Sequence, residues 1–193
     1  MRRKKKLVWD TSSLSYALET YSHAAVSAYV SAKNKTWPIL EKRLENRIKG
    51  EYESRELLTK CGTDYTCEVP DAILDEIEQA KELNREIDVV LPEGKELIER
   101  WYGRRAKGFS KVFRPTLYEK KVAPWARQIV EEEAKKLKLP VSSQDITAVA
   151  LAFQDDATLV TADRAMEKLA KSLNIPVIFT MGQANKVNKV RRR

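Results

Sequence analysis

The sequence predicts an α/β fold built around a mainly parallel sheet. Short apolar runs alternate with segments of helical periodicity along its 193 residues. The runs are bounded by polar residues, as buried strands are. Acidic residues stand where strands meet helices, and sheets of this kind form their sites at the C-terminal edges of strands.

Each element has its own reason. Leu7-Val8-Trp9 is an apolar run between polar residues and reads as the first strand. Leu14, Ala17, Leu18 and Tyr21 then recur at helical spacing, predicting a helix over 14–33. Pro38 separates it from a second helix, about 38–60, amphipathic through Ile39, Leu40, Leu44, Ile48, Leu57 and Leu58, with Gly50 as a place to bend. Residues 61–65 are turn-like and 66–69 are β-capable. Pro70 suits a first helical turn, and Ala72, Ile73, Ile77 and Ala80 share one face of the helix that follows. The run 87–91 is the next strand, stopped by Pro92, and 94–102 is helical. Gly103, Gly108 and Pro115 interrupt residues 101–121. A charged helix is predicted over 122–138, then an apolar one through Ile146, Val149, Ala150, Ala152 and Phe153. A strand at 158–161, a helix at 163–173 and a strand at 175–179 complete the pattern. No internal repeat is present. The segment from Gly182 onward lacks apolar periodicity, and a loose tail is expected there.

Apolar residues at 42% and charged residues at 33% describe a soluble globular chain, and no apolar run approaches the ~20 residues of a membrane span. The basic start lacks the apolar stretch of a signal peptide, so a cytoplasmic protein is expected. The net charge of +8 is concentrated at the ends. Ten of the 36 basic residues lie in 1–6 and 186–193, leaving 26 against 28 acids in the body. Basic ends suit a polyanion such as RNA or DNA, and equally a pair of solvated, solubilising tails. The one histidine, His23, has no second His or Cys nearby, and a zinc ribbon is excluded by count. Cys61 and Cys67 are expected as reduced thiols, a local disulfide being the alternative for a hyperthermophile. Any chemistry must therefore run on carboxylates.

Four acids stand at equivalent places: Asp10 after the first strand, Glu76 in the helix after the second, Asp145 at the start of the helix feeding the fourth, and Asp163 after that strand. Carboxylates brought together repel, and a hard divalent cation such as Mg²⁺ or Mn²⁺ removes the repulsion. Such an ion activates water and stabilises charge on a phosphate, which makes an acid cluster without histidine a sensible phosphodiesterase site. Each acid also has a structural reading. Asp10 and Asp163 can cap helices, Ser142 to Asp145 matches the S-x-x-D capping box, and Glu76 can face solvent like Asp71, Asp75 and Glu78.

The order VWDTSSL, VPDAILDEIEQ, SSQDITAVALA and TLVTADRAMEKLAKSLNIPVI resembles the PIN-domain superfamily of metal-dependent nucleases, over residues 6–20, 66–91 and 141–179. The resemblance implies a three-layer α/β/α sandwich and Mg²⁺- or Mn²⁺-dependent cutting of RNA. It places Asp10, Glu76, Asp145 and Asp163 at the metal-binding acid positions and Thr11, Ser12 and Thr161 at the supporting hydroxyls. It also implies a homodimer. A single PIN-like domain over 1–181 is expected, with helical insertions at about 22–60 and 94–138 and a basic flexible tail at 182–193. The insertions set the chain apart from the compact toxin-type members. The closing block is also similar to the PIN domain of the endonuclease that trims small-subunit rRNA, and length and insertion resemble the RNA-free ribonuclease P; the zinc ribbon usual in the first is missing.

Residues 100–121 supply a candidate grip on the substrate. Arg100, Arg104, Arg105, Lys107, Lys111 and Arg114 are interleaved with aromatics, Trp101 and Tyr102 among them. Basic groups neutralise phosphates and aromatic faces stack on unpaired bases. The bland alternative packs the aromatics onto the body and turns the charges to water. Together these readings describe a metal-dependent endoribonuclease acting on structured or precursor RNA, tRNA or rRNA precursors among them. The alternatives are a catalytically inactive PIN-like subunit that binds RNA or protein in a processing complex, and a toxin-type PIN ribonuclease.

Overall fold

The protein is described here by a computed structural model, which places residues 4–18, 29, 31–71, 73 and 117–180. Its centre is a five-stranded sheet, every strand parallel to its neighbours. The strands are β1 (Lys5–Trp9), β2 (Tyr65–Pro70), β3 (Leu117–Lys120), β4 (Thr158–Thr161) and β5 (Val177–Phe179), in the order β3-β2-β1-β4-β5. Between them run α1 (Thr11–Leu18), α2 (Pro38–Leu58), α3 (Pro124–Lys136), α4 (Ser143–Gln154) and α5 (Arg164–Ser172).

The order explains the layers. From β1 the chain moves one way along the sheet to β2 and β3, then returns past β1 and moves the other way to β4 and β5. Right-handed crossovers in opposite directions place their helices on opposite faces. Accordingly α1 packs on α2, while α3, α4 and α5 pack on one another. The result is an α/β/α sandwich, and a strand covered on both faces has no polar side to show. Leu7, Val8 and Trp9 are all buried in β1, as are Cys67 to Pro70 in β2. Ala148, Val149, Ala150, Leu151 and Ala152 are buried together in α4, which lies in the middle of its layer.

Three helices of this layer end alike. Lys138, Asp156 and Asn174 stand at positive φ just past α3, α4 and α5. In each case the next residue's amide reaches back over the last turn: Leu139 to Ala134, Ala157 to Ala152 and Ile175 to Ala170. This is the Schellman arrangement, which satisfies the last free carbonyls and usually employs glycine. Here non-glycine residues take the left-handed position.

Three sequence expectations change. Cys61 and Cys67 are not reduced thiols but a disulfide, with Cα atoms 5.4 Å apart. Gly62 (φ 88°) turns the chain between them, so the end of α2 folds back onto β2 and brings the thiols together. Pro70 closes β2, paired with Lys120 of β3, rather than opening the helix expected after it. Residues 117–120, read as part of the basic and aromatic segment, form the edge strand β3. The strand expected at 87–91 lies outside the described residues.

Candidate active site at the switch point of the sheet

Chain direction along the sheet reverses between β1 and β4, and in open α/β sheets ligands bind in the crevice outside the strand ends at that point. Asp10 follows β1 and Thr161 ends β4, so both stand at this crevice. The Asp10 amide donates to the Val160 carbonyl (3.2 Å), tying the two strand ends together.

Asp10 is also the N-cap of α1. Its carbonyl accepts from the Leu14 amide, and Oδ1 accepts from the Ser13 amide at 2.7 Å. Oδ2 accepts from Ser12 Oγ at 2.8 Å and from Thr161 Oγ1. Only 2% of Asp10 is exposed. Burial pushes its carboxyl above the usual range, against the lowering effect of the hydrogen bonds from Thr161, the Ser13 backbone and Ser12.

Thr161 connects two of the sequence-predicted acids. Its buried hydroxyl donates to Asp10 and accepts from the Asp163 amide at 3.0 Å. Asp163 is exposed and caps α5, Oδ1 accepting from the Ala165 and Met166 amides at 2.5 and 3.0 Å. Asp145 completes the capping box of α4: Oδ2 accepts from the Ser142 amide (2.7 Å) and its own amide donates to Ser142 Oγ (3.1 Å). Because α4 precedes the parallel strand β4, its first turn stands at the same edge of the sheet. The capping readings of all three acids are therefore realised in the fold. Each of Asp145 and Asp163 uses one carboxylate oxygen for its cap, and the other accepts nothing from a described residue.

Ser12 bridges as well, donating to Asp10 and accepting from the Ala162 amide at 3.3 Å. Thr11 is the first residue of α1. Glu76 lies outside the described residues, and so do Arg100, Trp101, Tyr102, Arg104, Arg105, Lys107, Lys111 and Arg114. Among the described residues no three acids, histidines or cysteines form a metal-holding group. The donors that are present suit a hard cation nonetheless. They are carboxylate oxygens, buried at Asp10, with one oxygen each of Asp145 and Asp163 accepting nothing from a described residue, and Mg²⁺ and Mn²⁺ take such ligands together with water.

Sequence reasoning missed three residues of this region. Ser13 holds Asp10 through its amide, and its hydroxyl meets Thr180 Oγ1 at 3.2 Å. Thr180 directly follows β5, so the edge rule that singled out Asp10 and Asp163, applied to the last strand, points to it. Arg164 places its guanidinium 3.8 Å above the Phe179 ring and pairs with Glu167 at 2.6 Å. No signal in the sequence marked it.

No protein-family model matches the chain, and no curated protein sequence matches it. It is similar to the solved structure of VapBC2 from Rickettsia felis bound to a DNA fragment from their promoter, at 14% identity and a TM-score of 0.44, over 90% of this chain and 98% of that one. It is likewise similar to FitAcB from Neisseria gonorrhoeae, at 14% identity and a TM-score of 0.45, over 91% of this chain and 97% of that one.

Proposed function

We propose that this chain is a PIN-type, metal-dependent endoribonuclease that hydrolyses phosphodiester bonds in structured or precursor RNA. The observation that carries the reading is the buried Asp10 carboxylate at the switch point, joined to Asp163 through the single hydroxyl of Thr161. A buried acid with a raised proton affinity is costly to a fold, and such groups cluster at functional sites. Asp10, Asp145 and Asp163, with Glu76, are the residues to hold Mg²⁺ or Mn²⁺. When bound, the ion supplies charge neutralisation and water activation at the phosphate. Thr161 and Ser12 hold Oδ2 and the Ser13 amide holds Oδ1, which fixes the plane of the Asp10 carboxylate. The basic residues between Arg100 and Arg114 hold the RNA backbone, and Trp101 and Tyr102 stack on its bases. Two copies form the working unit, an expectation that comes from the family resemblance.

The test is cleavage of labelled RNAs, tRNA and rRNA precursors included, by wild type and Asp10→Asn with Mn²⁺, Mg²⁺ or EDTA. Wild type is expected to cut only with metal, and the substitution to slow cutting by about 100-fold or more. Cutting that survives both EDTA and Asp10→Asn overturns the proposal. A toxin-type PIN ribonuclease is the second reading, with the same acids but a cellular RNA target and a protein antitoxin. Growth arrest on induction, relieved by Asp10→Asn, would select it.

A further inference from the structure

Four residues around the candidate site close a ring of hydrogen bonds. Asp10 Oδ1 accepts from the Ser13 amide at 2.7 Å. Ser13 Oγ meets Thr180 Oγ1 at 3.2 Å. Thr180 returns to Thr161 twice, its amide donating to the Thr161 carbonyl at 3.0 Å and its hydroxyl reaching the same oxygen at 3.4 Å. Thr161 Oγ1 closes the ring on Asp10 Oδ2. Oδ1 is thus held through α1, and Oδ2 through both Ser12 of α1 and Thr161 of β4.

The Ser13–Thr180 link is the part that local structure does not demand. The Thr180 amide already joins the ends of β4 and β5, and the Asp10 side chain already caps α1. The hydroxyl contact between Ser13 and Thr180 spans 167 residues of sequence, reaching from the first helix to the residue after the last strand. Both residues are buried, at 0% and 3% exposure. Burial keeps water from replacing a lost contact, so each hydroxyl is directed by its partners within this ring.

We propose that Ser13 and Thr180 are positioning residues for Asp10: their hydroxyl pair locks the ends of β1, β4 and β5 in one register and fixes the carboxylate for its ligand. The inference rests on the reading of Asp10 as a metal-binding acid. Neither residue touches the reacting atoms.

The experiment compares Thr180→Val, which keeps the branched shape and the backbone hydrogen bond but removes the hydroxyl, with Thr180→Ser, which keeps the hydroxyl. Two readouts are taken on the full chain: amide hydrogen exchange at Ser13 and Asp163 without metal, and Mn²⁺ affinity by calorimetry. Thr180→Val is expected to lower protection of both amides about tenfold and to weaken Mn²⁺ binding by about tenfold, the low end for residues that support a ligand. Thr180→Ser should restore both to within about twofold of wild type. Ser13→Ala should act like Thr180→Val, and the double variant should be no worse than either, because the two act as one pair. Protection and affinity unchanged in Thr180→Val would overturn the proposal. If Thr180→Val loses protection while wild type itself fails to bind Mn²⁺, the positioning role stands and the metal reading falls.

Discussion

Glu68 and Asp155 form a second acid pair, Glu68 lying beside Val8 in the sheet. Glu68 lies on β2 with 2% exposure, and Asp155 follows α4. Lys6 and Lys120 flank both, at 3.3 Å for Lys6 to Asp155 and 3.9–4.0 Å for the other pairs. Burial, then the neighbouring Asp155, push the Glu68 carboxyl above its usual range, with the lysines opposing. For Asp155 burial also pushes upward, but the hydrogen bond from Glu68 and the charge of Lys6 outweigh it and hold the group low. Oε2 of Glu68 is buried without a hydrogen bond among the described residues. A carboxyl raised on folding contributes stability that is complete below its unfolded value of 4.5 and is lost as pH rises through the folded value. Asp155 has the opposite sign, its share being lost as pH falls below the unfolded value of 3.8. Glu68→Gln keeps a donor toward Asp155 and cannot ionise. Its melting temperature at pH 7 should exceed that of wild type by about 2–4 °C, the shift of roughly 1 kcal/mol in a chain of this size. The difference should vanish below pH 4. Asp10, also raised by burial, is the residue-scale counterpart that function requires to be charged.

At the scale of elements, the disulfide joins the end of α2 to the middle of β2 across a short loop. Closing a loop of this length removes unfolded-chain entropy equivalent to about 2 kcal/mol. Cys61→Ser with Cys67→Ala should therefore lower the melting temperature by about 5–8 °C in a scan without reductant. An unchanged midpoint would show that the linkage adds nothing to the folded state. Elements were legible from sequence wherever burial was two-sided. Leu7 to Trp9, Thr158 to Thr161 and the Ala-rich α4 announce themselves because the sandwich covers both faces of the sheet. β3 was not legible: its four residues are half-buried at best, and Tyr118, Glu119 and Lys120 face solvent, so no apolar run marks the strand. Helix ends were blurred for a related reason, since Lys138, Asp156 and Asn174 do the work for which glycine is the usual signal. The disulfide could not be read from two cysteines alone, because pairing depends on the reversal at Gly62. In the candidate site the acids were visible through their places after strands. Thr180 shares that place after a strand, but its partner Ser13 lies at the far end of the chain and no local pattern pairs them.

For the whole molecule, charge and topology set the remaining behaviour. The body of the chain is slightly acidic, and the two basic ends carry the positive excess. If RNA is the substrate, those ends contribute through counterion release, which for single strands changes the salt slope by about 0.7 per phosphate neutralised. Deleting residues 186–193, with its five basic residues, should flatten the plot of log affinity against log salt by up to about 3.5. An unchanged slope would leave the tail without a role in binding. No helix among the described residues is long and apolar enough to cross a membrane. The strand order has a consequence for how the molecule is made. Of the sheet neighbours only β4 and β5 are joined by a short crossover, residues 162–176; β1 reaches β2 across 10–64, and β2 reaches the edge strand β3 across 71–116. Closing that long stretch costs entropy that four half-exposed residues repay poorly. The β3 flank should assemble after the rate-limiting barrier and be the first to fray, so that substitutions there accelerate unfolding while leaving the refolding rate untouched.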